Sequence, residues 1–208
     1  MSAALTLFVD AGYASPWAMS VYVGLLEKGL EFELVPVDIA PGAARDPRFL
    51  ACAPTGRVPT LRHDGFALAE SSAITEYLDE VFDGPPLYPR DPRERAVARQ
   101  LQAWIRSDLG ALRGERPTEV IFVRPVDAPL SPAARLAADR LLAVADGLLA
   151  HGRGQLFERW CIADLDLALM LQRLLANGDA VPPRLADHAR GQWARPAARR
   201  WVAMQRPG

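Results

Sequence analysis

Hydrophobic and polar residues change their period once along the chain. Residues 5–10, LTLFVD, form an apolar run of strand length, and residues 32–39, FELVPVDI, alternate and are rich in valine, as a second strand would be. Between them Pro16 follows Ser15, and apolar residues continue to Leu26 before Glu27-Lys28-Gly29, which gives a helix with a start and a stop. A short helix is predicted over about residues 44–52. VPTLRH and FALA then flank Asp64-Gly65, a two-residue hairpin signal, and ESSAITEYLDEVF reads as a helix. The predicted order is βαβ followed by ββα.

Residues 83–92, DGPPLYPRDP, hold four prolines and cannot continue a helix, so they are read as a linker between domains at 1–82 and 93–208. Beyond them the period is helical throughout. Val97, Leu101, Trp104, Ile105 and Leu112 mark one predicted face, and Leu141, Val144, Ala145 and Leu148 another. Residues 162–176, IADLDLALMLQRLLA, are apolar almost all round, as in a helix at the centre of a bundle.

Composition narrows the function. The 208 residues, half of them hydrophobic, suffice for a sizeable core. No apolar run reaches the ~18 to 20 residues needed to span a bilayer, and the N-terminus lacks a signal-peptide pattern, so a cytoplasmic protein without membrane association is expected. Cys52 and Cys161 lie far apart, and His63, His151 and His188 are dispersed, which signals neither a disulfide framework nor a metal site. A net charge of -1 argues against nucleic-acid binding. The charge is nevertheless uneven: residues 1–82 carry five basic against eleven acidic groups, and the remainder nineteen against fourteen. Lys28 is the only lysine and is expected at an exposed helix end, a poor place for Schiff-base chemistry.

Three short stretches hold candidate chemistry. In TGRVPTL, Pro59 precedes a predicted strand; proline donates nothing to a ladder, so it either opens an edge strand or serves a ligand. In ESSAI, an acid and a hydroxyl stand at a helix N-terminus, which favours a bound carboxylate, but taken alone the motif reads first as ordinary capping by Ser71 or Ser72 with Glu70 as a first-turn acid. Ser15 before Pro16 is placed to cap the first helix.

Four motifs in order, ASPW, APTGRVPTL, ESSAI and CIADLDLAL, make the chain resemble the cytosolic glutathione transferases, specifically a bacterial member with serine at the catalytic position. The resemblance covers most of the chain. It implies a thioredoxin-like N-terminal domain with a mixed four-stranded sheet, followed by an all-helical C-terminal bundle. It implies a cis peptide bond before Pro59, with the Val58 backbone pairing with the cysteinyl part of glutathione. Glu70 and Ser71 would hold the γ-glutamyl group and Arg57 the glycyl carboxylate. Ser15 would stabilise the thiolate, with Tyr13 as the alternative donor.

Further expectations follow from the same resemblance. An electrophile pocket between the domains would involve Tyr13, Trp104, Arg106, Arg113 and Phe122, with core packing the favoured reading of Trp104. Glutathione would be a co-substrate, with no cofactor and no metal, and the partner a small-molecule electrophile or peroxide. A serine cannot form a mixed disulfide, so thiol transfer through residue 15 is excluded. Cys52 reads as a small buried side chain, and Cys161 stands where the family has a serine or threonine cap, with Asp164 as its capping-box partner. A homodimer is implied, steered by the opposite charges of the two halves. The alternatives are a non-catalytic interaction protein of the same fold and a glutathione-dependent isomerase or dehalogenase.

Overall fold

The computed structural model describes residues 4–40, 47–53 and 55–206. They divide into two compact units: the residues up to Leu87 together with the segment from Pro196, and Tyr88–Arg195.

The first unit begins with β1 (Leu5–Asp10), α1 (Pro16–Glu27), β2 (Glu33–Val37) and α2 (Pro47–Cys52). It continues through β3 (Thr60–His63), β4 (Phe66–Ala69) and α3 (Ser71–Val81). Residues 44–46 of the predicted second helix lie outside the described residues. The strands form one mixed sheet in the order β2-β1-β3-β4, with β1 parallel to β2 and antiparallel to β3, and β3 antiparallel to β4. Every residue of β1 is buried, as expected of a central strand. Pro36 lies in β2, at the sheet edge where a missing donor is tolerated. Phe8, Val35, Val37, Phe49 and Ala53 form a buried cluster against which Val58 packs.

Lys28 departs from expectation. It is only 5% exposed, and its Nζ lies 3.7 Å from Asp79, whose carboxylate also accepts the Leu87 N–H at 2.7 Å. The packing of α1 on α3 encloses the helix end that the local sequence pattern leaves open. Gly84 completes this corner at φ +115°: a Cβ there would stand 3.0 Å from the Lys28 carbonyl oxygen.

The second unit contains α4 (Pro92–Ser107), α5 (Gly110–Glu115), α6 (Thr118–Phe122), α7 (Pro132–Leu148), α8 (Ile162–Leu175) and α9 (Pro183–Ala194). Asp91 caps α4 by accepting from the N–H groups of Arg93 and Glu94, with Pro92 at the first helical position. Helix α8 is buried on nearly all sides, consistent with its continuous apolar sequence. At its start the Cys161 N–H donates to Asp164 at 2.9 Å. Burial pushes the Cys161 thiol well above its usual range, so this sulfur is not a nucleophile.

Two predicted faces are corrected. Leu112 belongs to α5, not to the α4 face, because α4 ends at Ser107 and Leu109 takes up non-helical backbone. Val97 and Val144 are 37% and 39% exposed. They line a groove with Gln100, Leu101, Trp104 and Leu148, residues of α4 and α7. The last helix, α10 (Pro196–Val202), groups with the first unit, where it packs on α1 through the buried Trp201.

Candidate functional site

Strand register brings three loops to one end of the sheet. Phe8 is opposite Thr60, and Thr60 is opposite Ala69. The segment beyond Asp10, the segment before Thr60 and the segment after Ala69 therefore emerge together. They carry Ser15, Arg57-Val58-Pro59 and Glu70-Ser71. Adjacent strands are about 4.8 Å apart, so these segments are neighbours although far apart along the chain.

Ser15 caps α1: its Oγ accepts the Ala18 N–H at 3.2 Å. That bond occupies a lone pair and leaves the hydroxyl hydrogen free to be donated. Among the described residues nothing accepts it. The approach to Ser15 is fixed by Asp10, whose carboxylate accepts the N–H of Ala14 at 2.7 Å and of Ser15 at 3.0 Å. Tyr13 turns the chain with φ 48°, a left-handed conformation uncommon for a bulky residue. Its ring stands edge-on to Trp201, with centroids 5.8 Å apart, and its carbonyl accepts from Arg206 Nη2 at 3.3 Å. Packing against α10 thus positions Tyr13.

The Val58–Pro59 peptide bond is cis. Pro59 and Thr60 are buried, and the Thr60 hydroxyl donates to the Arg57 carbonyl at 2.9 Å, closing the turn. Among the described residues none hydrogen-bonds the Val58 N–H or C=O, so this backbone presents one donor and one acceptor for an added strand. The Arg57 side chain is exposed beside it.

Helix α3 starts at Ser71, and Glu70 occupies the cap position without a side-chain capping bond. Neither Ser71 nor Ser72 is the cap, which corrects that alternative. Glu70 has φ 69° and is exposed, whereas Ser71 is 3% exposed at the first turn. A left-handed glutamate costs of order 1 to 3 kcal/mol, and such strain gathers where a side chain must be aimed at a ligand.

The residues expected at an electrophile pocket are divided. Tyr13 is in the first unit; Trp104, Arg106, Arg113 and Phe122 are in the second, and not all on one face. Trp104 lines the groove with Val97 and Val144. Arg106, on the opposite side of α4, donates to Asp166 at 3.1 Å and to the Gln102 carbonyl at 2.8 Å. Asp166 is fully buried and also accepts from Gln102, which in turn accepts from the Tyr88 hydroxyl at 2.9 Å. Arg113 donates to the Ile105 carbonyl, and Phe122 ends α6 half-buried.

Sequence reasoning overlooked Asp10, Trp201 and Arg206. An acid at the end of a strand, five residues before a capping serine, was the available signal for Asp10. Nothing local marks the other two.

Comparison with known proteins matches both units. A family model described as glutathione S-transferase, N-terminal domain, matches residues 14–81, and one described as glutathione S-transferase, C-terminal domain, matches residues 91–206. The chain is 33% identical to glutathione S-transferase 3 of Zea mays, over 91% of this chain and 90% of that protein. It is 39% identical to maleylacetoacetate isomerase of Pseudomonas aeruginosa over 48% of this chain and 49% of that one. Among solved structures, a glutathione transferase homolog from Burkholderia with bound glutathione is 46% identical, covers 95% of both chains and superposes with a TM-score of 0.75.

Proposed function

The chain belongs to the glutathione S-transferase family, and from that premise we propose that this glutathione transferase uses Ser15 to hold the thiol of glutathione as a thiolate. The observation that carries the proposal is the Ser15 hydroxyl: it accepts its capping bond from Ala18 and keeps its hydrogen to donate. The thiol has an ordinary pKa near 8.5, and lowering it by about two units requires about 2.7 kcal/mol. One charge-assisted hydrogen bond and the N-terminus of α1 together reach that amount.

Glutathione is held as an added strand. Val58 receives the cysteinyl backbone, Glu70 the γ-glutamyl ammonium, Ser71 and the α3 N-terminus the neighbouring carboxylate, and Arg57 the glycyl carboxylate. Tyr13 is the alternative thiolate donor. The thiolate then attacks an electrophile: a carbon–sulfur bond forms, the leaving group departs with the bonding pair, and the thiol proton passes to solvent. On the helical unit the electrophile site draws on Arg106, Arg113 and Phe122. Peroxide reduction by the same thiolate, a homodimeric assembly and a cytoplasmic location belong to this reading.

The likeness to a maleylacetoacetate isomerase supports a second reading. There the same thiolate adds to a carbon–carbon double bond and leaves again after rotation.

Retention on immobilised glutathione, followed by conjugation assays with an aryl halide, an epoxide, a hydroperoxide and a cis-enedione, tests these readings. Conjugation that depends on Ser15 supports the transferase mechanism. Turnover of the enedione alone selects the isomerase, and retention without any turnover removes both in favour of a binding role.

A further inference from the structure

We infer that Arg113, with Arg106 beside it, forms an anion subsite on the helical unit that selects electrophiles carrying a carboxylate. This rests on the reading of these residues as part of the electrophile site. The placement comes from two hydrogen bonds. Arg106 Nη1 donates to the Gln102 carbonyl at 2.8 Å and Arg113 Nη1 to the Ile105 carbonyl at 2.5 Å. Carbonyl oxygens three residues apart on a helix lie about 5 Å apart, so the two guanidiniums are neighbours along one strip of α4. A carboxylate is narrow enough to meet both.

The charges along that strip do not cancel. Asp166 Oδ2 lies 3.1 Å from Arg106 and balances it. Among the described residues no carboxylate pairs with Arg113, which is half-buried. Behind it Arg173, only 2% exposed, donates to the Arg116 carbonyl at 2.6 Å. Arg116 itself is engaged by Asp179. Burial first, and then the charge of Arg106, lowers the pKa of Arg113; burial and the charge of Arg113 bring Arg173 down to about 10, with Glu119 opposing. Positive charge gathered away from water without matching acids is unfavourable unless it serves something, and an arriving anion relieves it.

Arg113 also meets the C-terminal turn of α4, whose carbonyls attract cations. A residue with only that role would affect stability and leave substrate choice alone. The guanidinium fork suits a carboxylate in particular, since two parallel N–H groups meet its two oxygens.

The test compares a chlorodinitrobenzoate with the chlorodinitrobenzene of the same substitution pattern, each enzymatic rate divided by its uncatalysed rate with glutathione. The thiolate displaces chloride in both, so only the carboxylate differs. The wild-type enzyme is expected to prefer the carboxylate, and Arg113→Gln to reduce the preference by roughly tenfold or more, the size of a charge-assisted hydrogen bond. An unchanged preference in a folded variant overturns the subsite. A second measurement does not depend on turnover or on the variant folding: calorimetric titration of the wild-type protein with dinitrobenzoate and with dinitrobenzene at low and high chloride. Tighter binding of the benzoate that chloride weakens supports the subsite, and equal binding of the two overturns it. If neither chloride compound is turned over, the transferase reading fails while the titration still decides the subsite.

Discussion

The carboxylate of Asp10 accepts the backbone N–H of Ser15 at 3.0 Å, so the residue proposed to meet the thiolate is fastened by an acid at the end of the central strand. With the Ala14 N–H on its other oxygen, Asp10 turns a mobile connection into a fixed one. Asp10→Ala is expected to lower kcat/KM by at least tenfold and to destabilise the first unit by about 2 to 4 kcal/mol, since two N–H groups lose an ionised acceptor. Asp10→Asn keeps an acceptor and should do less. Urea unfolding alongside steady-state kinetics checks both; full activity in Asp10→Ala would show that the turn holds itself.

Ser15→Ala is expected to raise the pKa of bound glutathione while leaving its affinity within about threefold, because a hydroxyl donor favours the thiolate more than the neutral tripeptide. The loss of the cap costs a further ~1 kcal/mol of stability. Thiolate absorbance of the binary complex followed against pH provides the reading, and an unshifted titration would pass the role to Tyr13 or to backbone donors.

Arg206 bears on the same titration. Asp10 places a negative charge near the thiolate site; burial lowers the pKa of Arg206, the charge of Asp10 opposes that, and the guanidinium donates to the Tyr13 carbonyl. Removing the cation in Arg206→Gln should move the bound thiol's pKa upward, since the thiolate then faces Asp10 uncompensated; Arg206→Lys should restore most of the shift. If Gln and Lys behave alike, Arg206 acts only through packing.

Glu70 separates stability from binding. At φ 69° a glycine is unstrained, so Glu70→Gly is expected to stabilise the fold by up to about 1 kcal/mol, while raising the half-saturating glutathione concentration by about tenfold. Calorimetric affinity and thermal unfolding measured on one preparation check the pair of effects. Glu70→Ala should weaken binding equally without the stabilisation. A Glu70→Gly protein with native affinity would remove the ammonium contact.

Asp179 sets an acid limit for the helical unit. Its hydrogen bonds from the Arg116 guanidinium hold its carboxyl below the usual carboxylate range. A depressed native pKa gives stability that is complete above the unfolded value, near 3.9, and lost as pH falls through the native one. Asp179→Asn should therefore be less stable than wild type at pH 6, with the gap narrowing below about pH 4. Urea midpoints at several pH values test this, and a gap independent of pH would mean that the ion pair contributes no linkage.

Local patterns in the sequence foretell much of this architecture. The strand and helix order of the first unit follows from period and turn residues, and the cap at Ser15 follows from a polar residue standing before proline. What escapes is whatever depends on partners remote in the chain. Lys28 is buried because Asp79 meets it, and no pattern around residue 28 contains that fact. Glu70 resembles a first-turn acid, yet the bend from β4 into α3 makes it the cap residue in an unusual conformation. Trp201 lies in a basic helical stretch resembling a solvated surface, and only its contacts with Tyr13 and Tyr22 reveal it as the support of the Ser15 loop.

The grouping of α10 with the first unit bears on how the protein is made. Synthesis is vectorial, and domains generally fold as units while the chain emerges. The unit that starts first here is closed last: β1 through α3 leave the ribosome early, but the face of α1 that takes Trp201 stays open until more than one hundred further residues have been added. The helical unit, contiguous in sequence, can form in the interval. During translation the nascent chain therefore carries an apolar slot beside the segment that bears Ser15, open to water until α10 arrives.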